Sequence, residues 1–155
     1  DNEFNNFKNY YINKIYISNK KYLFLSTDIG LIKYNFETKE ITGLINEKIN
    51  DYIFINNNEF VIAKKNKIYK FINNNKNFIA NIKNIKSISL CRNYLWVNAL
   101  NKVVLIDLNN NEKFEYKNND GISGNVINDV NCDSEWAWFS TNKGLSFYKW
   151  SNYHK

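Results

Sequence analysis

Apolar residues in this chain fall in short runs cut by clusters of Asn, Lys, Asp and Gly, and the runs themselves recur. Leu23-Phe24-Leu25-Ser26-Thr27, Phe60-Val61-Ile62-Ala63-Lys64, Leu95-Trp96-Val97-Asn98-Ala99 and Ala137-Trp138-Phe139-Ser140-Thr141 occupy one repeating position, each followed by a polar turn and a second apolar run. Phe24 to Val61 is 37 residues, Val61 to Trp96 is 35 and Trp96 to Trp138 is 42, close to the roughly 40–50-residue period of four-stranded propeller blades. Short apolar runs bounded by turn formers read as strands rather than helices. The pattern therefore predicts an all-β chain of four small antiparallel sheets, a β-propeller of four four-stranded blades.

The strands can be placed within each unit. The first unit reads as strands at 12–18, 22–26, 31–36 and 40–44; the second at 49–55, 59–63, 68–71 and 77–82; the third at 85–90, 94–98, 103–108 and 113–117. The fourth has 126–131, 136–140 and 145–150, with only 151–155 left for an outer strand. Residues 2–8 precede the first inner strand much as 111–117 precede the fourth, so the blades are expected at 12–44, 49–82, 85–117 and 126–155 plus 2–8, all within one domain or segment covering 1–155. An open array leaves strand edges that invite pairing. The amino-terminal segment pairing with 145–150 would close a four-bladed ring; the alternatives are a four-blade segment of a larger ring of ~7–8 blades, or two chains sharing one ring.

Composition agrees with an ordered β chain. At 155 residues, 44% hydrophobic and 17% aromatic, the chain is outside the disordered class and long enough to bury roughly 68–70% of its unfolded surface. Tyr, Phe, Ile and Val suit half-buried pleated strands, and Asn, which tolerates left-handed backbone, supplies most turns. There is no Pro, so every ladder position can donate. No run approaches the ~18 apolar residues of a membrane span. With Asp1 first and no Met anywhere, the chain is expected to be a processed or excised product.

Asp120-Gly121-Ile122-Ser123-Gly124-Asn125-Val126, followed by Ala137-Trp138-Phe139-Ser140-Thr141-Asn142-Lys143-Gly144-Leu145-Ser146-Phe147-Tyr148, resembles the two-component-regulator propeller repeat, with its "DGLPSN" opening and "LWIGT.xGL..Y" hairpin. Leu23-Phe24-Leu25-Ser26-Thr27-Asp28-Ile29-Gly30-Leu31-Ile32-Lys33-Tyr34 repeats the hairpin, whereas the middle units keep only its apolar skeleton, with Lys67 and Lys102 where the family has Gly. The resemblance implies a propeller from an extracytoplasmic sensor region that recognises a ligand or mediates dimerisation, placed in the periplasm or outside the cell. It also implies a membrane span and a kinase elsewhere in the full gene.

Most of the repeated residues have a structural reading. Gly30 and Gly144 fall where a hairpin turn needs positive φ. Phe24, Val61, Trp96 and Trp138 form one core column, and Tyr34, Phe71, Ile106 and Tyr148 a second. Trp136 and Trp150 lie outside the columns and are expected to be more exposed and better placed for contact.

Chemistry is scarce. The single His, His154, sits beside the end of the chain, so no Ser-His-Asp triad or histidine metal cluster can be assembled. Asp129 with Asp133 is the best acid–base pair on offer, and nothing else in the sequence supports it. Asp120, Asn125 and Asp129 supply oxygen ligands for a metal, again without a second feature. No enzyme activity, cofactor or metal is expected. Cys91 and Cys132 occupy nearly equivalent places on adjacent units; because such points usually exceed the ~7 Å Cα limit for a disulfide, two free, partly buried thiols are favoured.

Charge adds one candidate surface. The chain carries 21 basic and 15 acidic residues, a net +6. The loops between the second and third strands hold Lys64, Lys65 and Lys67, then Lys102, then Lys143, with Asp28 opposing. Clustered charge focuses encounter with an anionic partner, an acidic glycan or protein surface; solvation of the surface by Lys is the plainer alternative. Nucleic acid is disfavoured because Arg92 is the only Arg and phosphate clamps favour Arg forks. The candidate contact residues are Lys65, Lys102, Lys143, Asp28 and Trp136. The function expected is a non-catalytic binding or sensory module with a protein or glycan partner, as a homo-oligomer or part of a larger chain; the alternative is a secreted or surface-attached scaffold without signalling.

Overall fold

A computed structural model describes residues 7–18, 20–56 and 58–154. Fifteen strands order as the period requires. They are β1 (Ile12–Ser18), β2 (Tyr22–Thr27), β3 (Leu31–Asn35), β4 (Ile41–Ile45), β5 (Asp51–Asn56), β6 (Glu59–Lys64), β7 (Lys67–Ile72), β8 (Asn75–Asn81), β9 (Ile85–Cys91), β10 (Tyr94–Ala99), β11 (Lys102–Asp107), β12 (Lys113–Tyr116), β13 (Ile127–Cys132), β14 (Ala137–Thr141) and β15 (Gly144–Tyr148). The sheets run β1-β2-β3-β4, β5-β6-β7-β8, β9-β10-β11-β12 and β13-β14-β15, each an antiparallel meander.

Three sheets are four-stranded as expected, and the fourth is three-stranded among the described residues. Of the segment 151–155 expected to supply its outer strand, the described residues 151–154 form none: Trp150–Asn152 form a 3₁₀ turn, which turns the chain inward to bury Trp150 at 0% exposure. The expected closing segment 2–8 lies mostly outside the described residues. Phe7, its described aromatic, stands edge-on to Tyr34 of the first sheet at 5.4 Å between ring centroids.

The chain divides into two compact units, 1–49 and 50–155. The first holds β1 to β4. Its core is Phe24, Leu25, Leu31, Ile32 and Tyr34. Gly30 lets the β2–β3 turn pass under the end of β4: a Cβ there would lie 1.8 Å from the Ile45 carbonyl oxygen, and its φ is +148°.

The second unit stacks three sheets through two apolar layers. Val61, Ala63, Ile68 and Ala80 of the second sheet meet Ile85, Ile88, Val97 and Val104 of the third. Trp96, Val103 and Leu105, pointing from the opposite face of that third sheet, meet Ile127, Val130, Ala137, Phe139 and Trp150. Strand alternation thus gives β10 and β11 two buried faces, which explains their uninterrupted apolar sequence. The inner strands lie side by side and exchange polar contacts. Asp51 Oδ2 accepts the Ile88 N–H at 2.8 Å, Ser87 Oγ donates to Asp129 Oδ1 at 2.7 Å, and Asn98 Nδ2 donates to the Asn128 carbonyl at 2.9 Å.

Both columns read from the sequence are in register. Val61 pairs with Lys70, Trp96 with Leu105, Trp138 with Phe147 and Phe24 with Lys33. Phe24, Val61 and Trp96 are buried; Trp138, on the last sheet, is half-buried. Where the middle hairpins lack Gly, the left-handed turn is adopted by Lys65 at φ +52° and Asn101 at φ +60°.

Candidate functional site

The β2–β3, β6–β7, β10–β11 and β14–β15 turns carry the candidate charges, and each has its own chemistry. In the first unit, Asp28 is exposed, but its Oδ1 accepts the Tyr11 N–H at 3.2 Å while its own N–H donates to the Tyr11 carbonyl at 3.1 Å. Its carboxylate fastens the approach to β1. Thr27 Oγ1 closes the same turn by donating to the Gly30 carbonyl and accepting the Gly30 N–H. Thr141 donates to the Gly144 carbonyl in the equivalent turn of the fourth sheet, which gives the repeated Thr-x-x-Gly spacing a mechanical reason.

In the second unit the basic turns lie at one end of their sheets. Lys64, Lys65, Asn66, Lys67, Tyr69 and Asn81 line an open cleft of ≈ 350 Å³. Asn50 shapes its rim, accepting the Lys65 N–H on Oδ1 at 2.6 Å and donating to the Ile85 carbonyl at 2.8 Å. Lys65 and Lys143 are exposed and form no ion pair among the described residues. Lys102 differs. Its ammonium is 2.5 Å from Glu115 Oε1, and that hydrogen bond holds the Glu115 carboxyl below its ordinary range. Lys102 is therefore ion-paired, and of the three candidate lysines only Lys65 and Lys143, on the second and fourth sheets, stand outside the ion pairs of the described residues.

Trp136 is half-buried, edge-on to Phe147 at 5.7 Å, with Lys149 Nζ 5.5 Å from its ring centroid. Trp150, expected to be exposed, is buried, because the 3₁₀ turn carries it under Tyr94 and Trp96. The Asp129–Asp133 pair dissolves into local roles. Asp129 accepts from Ser87 and from the Val130 N–H, while Asp133 accepts the N–H groups of Trp136 and Glu135, which hold its carboxyl below its ordinary range.

The expected free thiols are not present. Cys91 and Cys132 are joined in a disulfide with Cα atoms 6.0 Å apart. The inner strands of adjacent sheets approach closely here, as the Ser89–Cys132 contact of 3.6 Å also records, so the distance falls inside the geometric limit. Nearly equivalent strand positions are usually farther apart; the close approach of β9 and β13 is the tertiary fact that the spacing did not convey.

The architecture has many solved counterparts. The chain superposes on the WD40 domain of Neurospora crassa Pan2 with a TM-score of 0.68 at 10% identity, covering 91% of this chain and 49% of that one. WD40 repeats build propeller blades. The fold is a β-propeller's. The extracellular domain of BT4673 from B. thetaiotaomicron, named as a hybrid two component system, matches with a TM-score of 0.72 at 15% identity, over 91% of this chain and 20% of that one. A chain of the Mitotic Checkpoint Complex matches with a TM-score of 0.71 at 10% identity, over 90% and 48%. The propeller sequence thus spans about a fifth of the BT4673 domain and about half of the other two. No protein-family model and no curated protein matches the sequence.

Proposed function

We propose that this propeller is a non-catalytic recognition module of the extracytoplasmic sensor type, which binds an anionic glycan or protein surface through the basic turns of its second unit. The carrying observation is the open cleft bounded by Lys64, Lys65 and Lys67, with Lys143 on another turn at the same end of the sheets. Such a cleft attracts negative charge at long range, and its affinity falls with added salt. The sensor assignment draws support from the likeness to the extracellular domain of BT4673. The Cys91–Cys132 disulfide independently supports an oxidising compartment, the periplasm or the cell exterior.

The test is titration with polygalacturonate, with neutral dextran as control, at low and physiological salt. Polygalacturonate is expected to bind and dextran not to. Charge reversal at Lys65 and Lys143 together should weaken binding about tenfold, consistent with a lost ~1.4 kcal/mol. Lys102→Glu should weaken it less, since Glu115 already offsets that charge. Equal binding of dextran, or no effect of the double reversal, overturns the reading. The likeness to a chain of the Mitotic Checkpoint Complex favours a second reading, a rigid scaffold for a protein partner; binding to an acidic protein but not to polygalacturonate would select it.

A further inference from the structure

In the second unit each sheet meets the one after it through the same two faces. Trp96, Val103 and Leu105 of the third sheet are buried against Ile127, Val130 and Phe139 of the fourth. On the fourth sheet the pairs Trp138–Phe147 and Ser140–Leu145 repeat the pairs Trp96–Leu105 and Asn98–Val103 of the third. Opposed residues share a face of a sheet, so Trp138, Leu145 and Phe147 present the same face that Trp96, Val103 and Leu105 present. Their burial does not repeat. Val103 and Leu105 are 0% exposed, whereas Leu145 is 64% and Phe147 65% exposed, with Trp136 edge-on to Phe147 on the same face.

The first sheet carries the opposite half of that junction. Its pairs Ile12–Thr27 and Ile15–Leu25 repeat Ile127–Thr141 and Val130–Phe139 of the fourth sheet. Ile127 and Val130 are closed off by the third sheet at 0% and 3% exposure, whereas Ile12 is 41% and Ile15 59% exposed. Within one chain, then, both rows stay open. The polar positions beside this layer are complementary as well. Ser87 reaches across the junction of the third and fourth sheets to Asp129 at 2.7 Å. Asp129, opposite Ser140, holds on its own sheet the place of Ser87, opposite Asn98, and Lys14, opposite Ser26, holds that place on the first sheet. One more junction of this build sets the exposed Asp129 carboxylate against the exposed Lys14 ammonium, and opposite charges fix the register of such a contact.

We infer that the fourth sheet docks the first sheet of a second copy of this chain, Ile12 and Ile15 packing on Trp138, Leu145 and Phe147 with Lys14 opposite Asp129. The contact is heterologous, so it closes only where the copies return on themselves. Made reciprocally by two chains it joins four sheets to four, within the roughly 4–8 blades of propellers. It uses none of the basic turns and does not depend on the anion-binding reading. Sedimentation velocity over a range of concentrations tests it. The unmodified chain is expected to form a dimer. Phe147→Glu and Ile15→Glu, both at exposed positions, should each raise the dimer dissociation constant at least tenfold. Mixed in equal amounts, these two variants should associate, because each supplies the intact face that the other lacks. Asp129→Lys should weaken the dimer, and Lys14→Asp in the same chain should restore it. A monomer at every concentration leaves these faces to another occupant, such as a further blade of a longer protein, and overturns the proposal. So does a dimer indifferent to Ile15→Glu, which pairs fourth sheets with each other, or a failure of the two variants to associate.

Discussion

Cys91 on β9 and Cys132 on β13 are joined across the third and fourth blades, so a single covalent bond ties together two sheets that otherwise meet through an apolar layer and a few polar contacts of their inner strands. The bridge closes a loop of sequence separation 41, for which loop-closure entropy gives about 3–4 kcal/mol. Urea unfolding with and without a reductant, alongside the Cys91→Ser/Cys132→Ser variant, should show a loss of about that size in both comparisons. A midpoint unmoved by reduction would mean that the bond does not constrain the unfolded chain.

Gly30 and Gly144 hold equivalent turns but not equivalent surroundings. Both have left-handed φ, +148° and +111°, yet a Cβ on Gly30 collides with the Ile45 carbonyl while one on Gly144 meets nothing within 4 Å. Gly144→Ala should cost about 1 kcal/mol, the backbone term alone. Gly30→Ala should cost well above that, because β4 has to move away from the turn. Thermal melts of the two variants decide it, and equal destabilisation would remove the steric argument.

The repeat made the strands legible because it rests on alternation, a local property of the chain. Every strand lies within two residues of its expected bounds, and Tyr34, Phe71, Ile106 and Tyr148 pair with Leu23, Phe60, Leu95 and Ala137 as one column. Tertiary distance was less legible. The pairing of Cys91 with Cys132, the burial of Trp150 and the ion pair of Lys102 with Glu115 each depend on which strands converge, and no local pattern encodes that. The candidate site was legible as a set of charged turns. Its division into open charges at Lys65 and Lys143, a paired charge at Lys102 and a structural Asp28 came from the partners that folding supplies.

Asp51 is buried on the inner strand of the second blade, and its two oxygens accept backbone N–H groups on two different blades: Tyr52 on its own and Ile88 on the next. Asp51→Ala leaves both donors buried without that acceptor. The expected cost is about 1–3 kcal/mol. Asp129→Ala, at an exposed equivalent position, should cost about 0.5–1 kcal/mol. Chemical denaturation of the two variants measures the difference, and a larger loss at Asp129 would reverse the ranking.

His154 provides the pH test. Its ring is buried against Phe114 and Tyr94, with centroids 4.4 and 5.7 Å away, and Tyr116 meets Nε2. Burial, the leading cause, raises the Tyr116 phenol well above its usual range, so it stays protonated and shares a hydrogen bond with Nε2. Desolvation of the imidazole lowers its own pKa, opposed weakly by Glu112 and Asp107. A histidine whose folded pKa is depressed takes up its proton more readily when unfolded, so its stabilising contribution is full above the ordinary value of ~6.5 and is lost as the pH falls below it. The carboxyls held low, Glu59, Glu115 and Asp133, act in the same direction but at lower pH, below the ordinary carboxylate values. Between pH 7.5 and pH 5 the urea midpoint of the unmodified protein should therefore fall, and in His154→Gln the slope across that window should flatten. Trp150, which stands with His154 against Tyr94, gives a local signal: its fluorescence should shift to the red in the same pH window only if the terminal turn loosens when the imidazole is protonated. A slope equally steep in His154→Gln would assign the acid sensitivity to other groups.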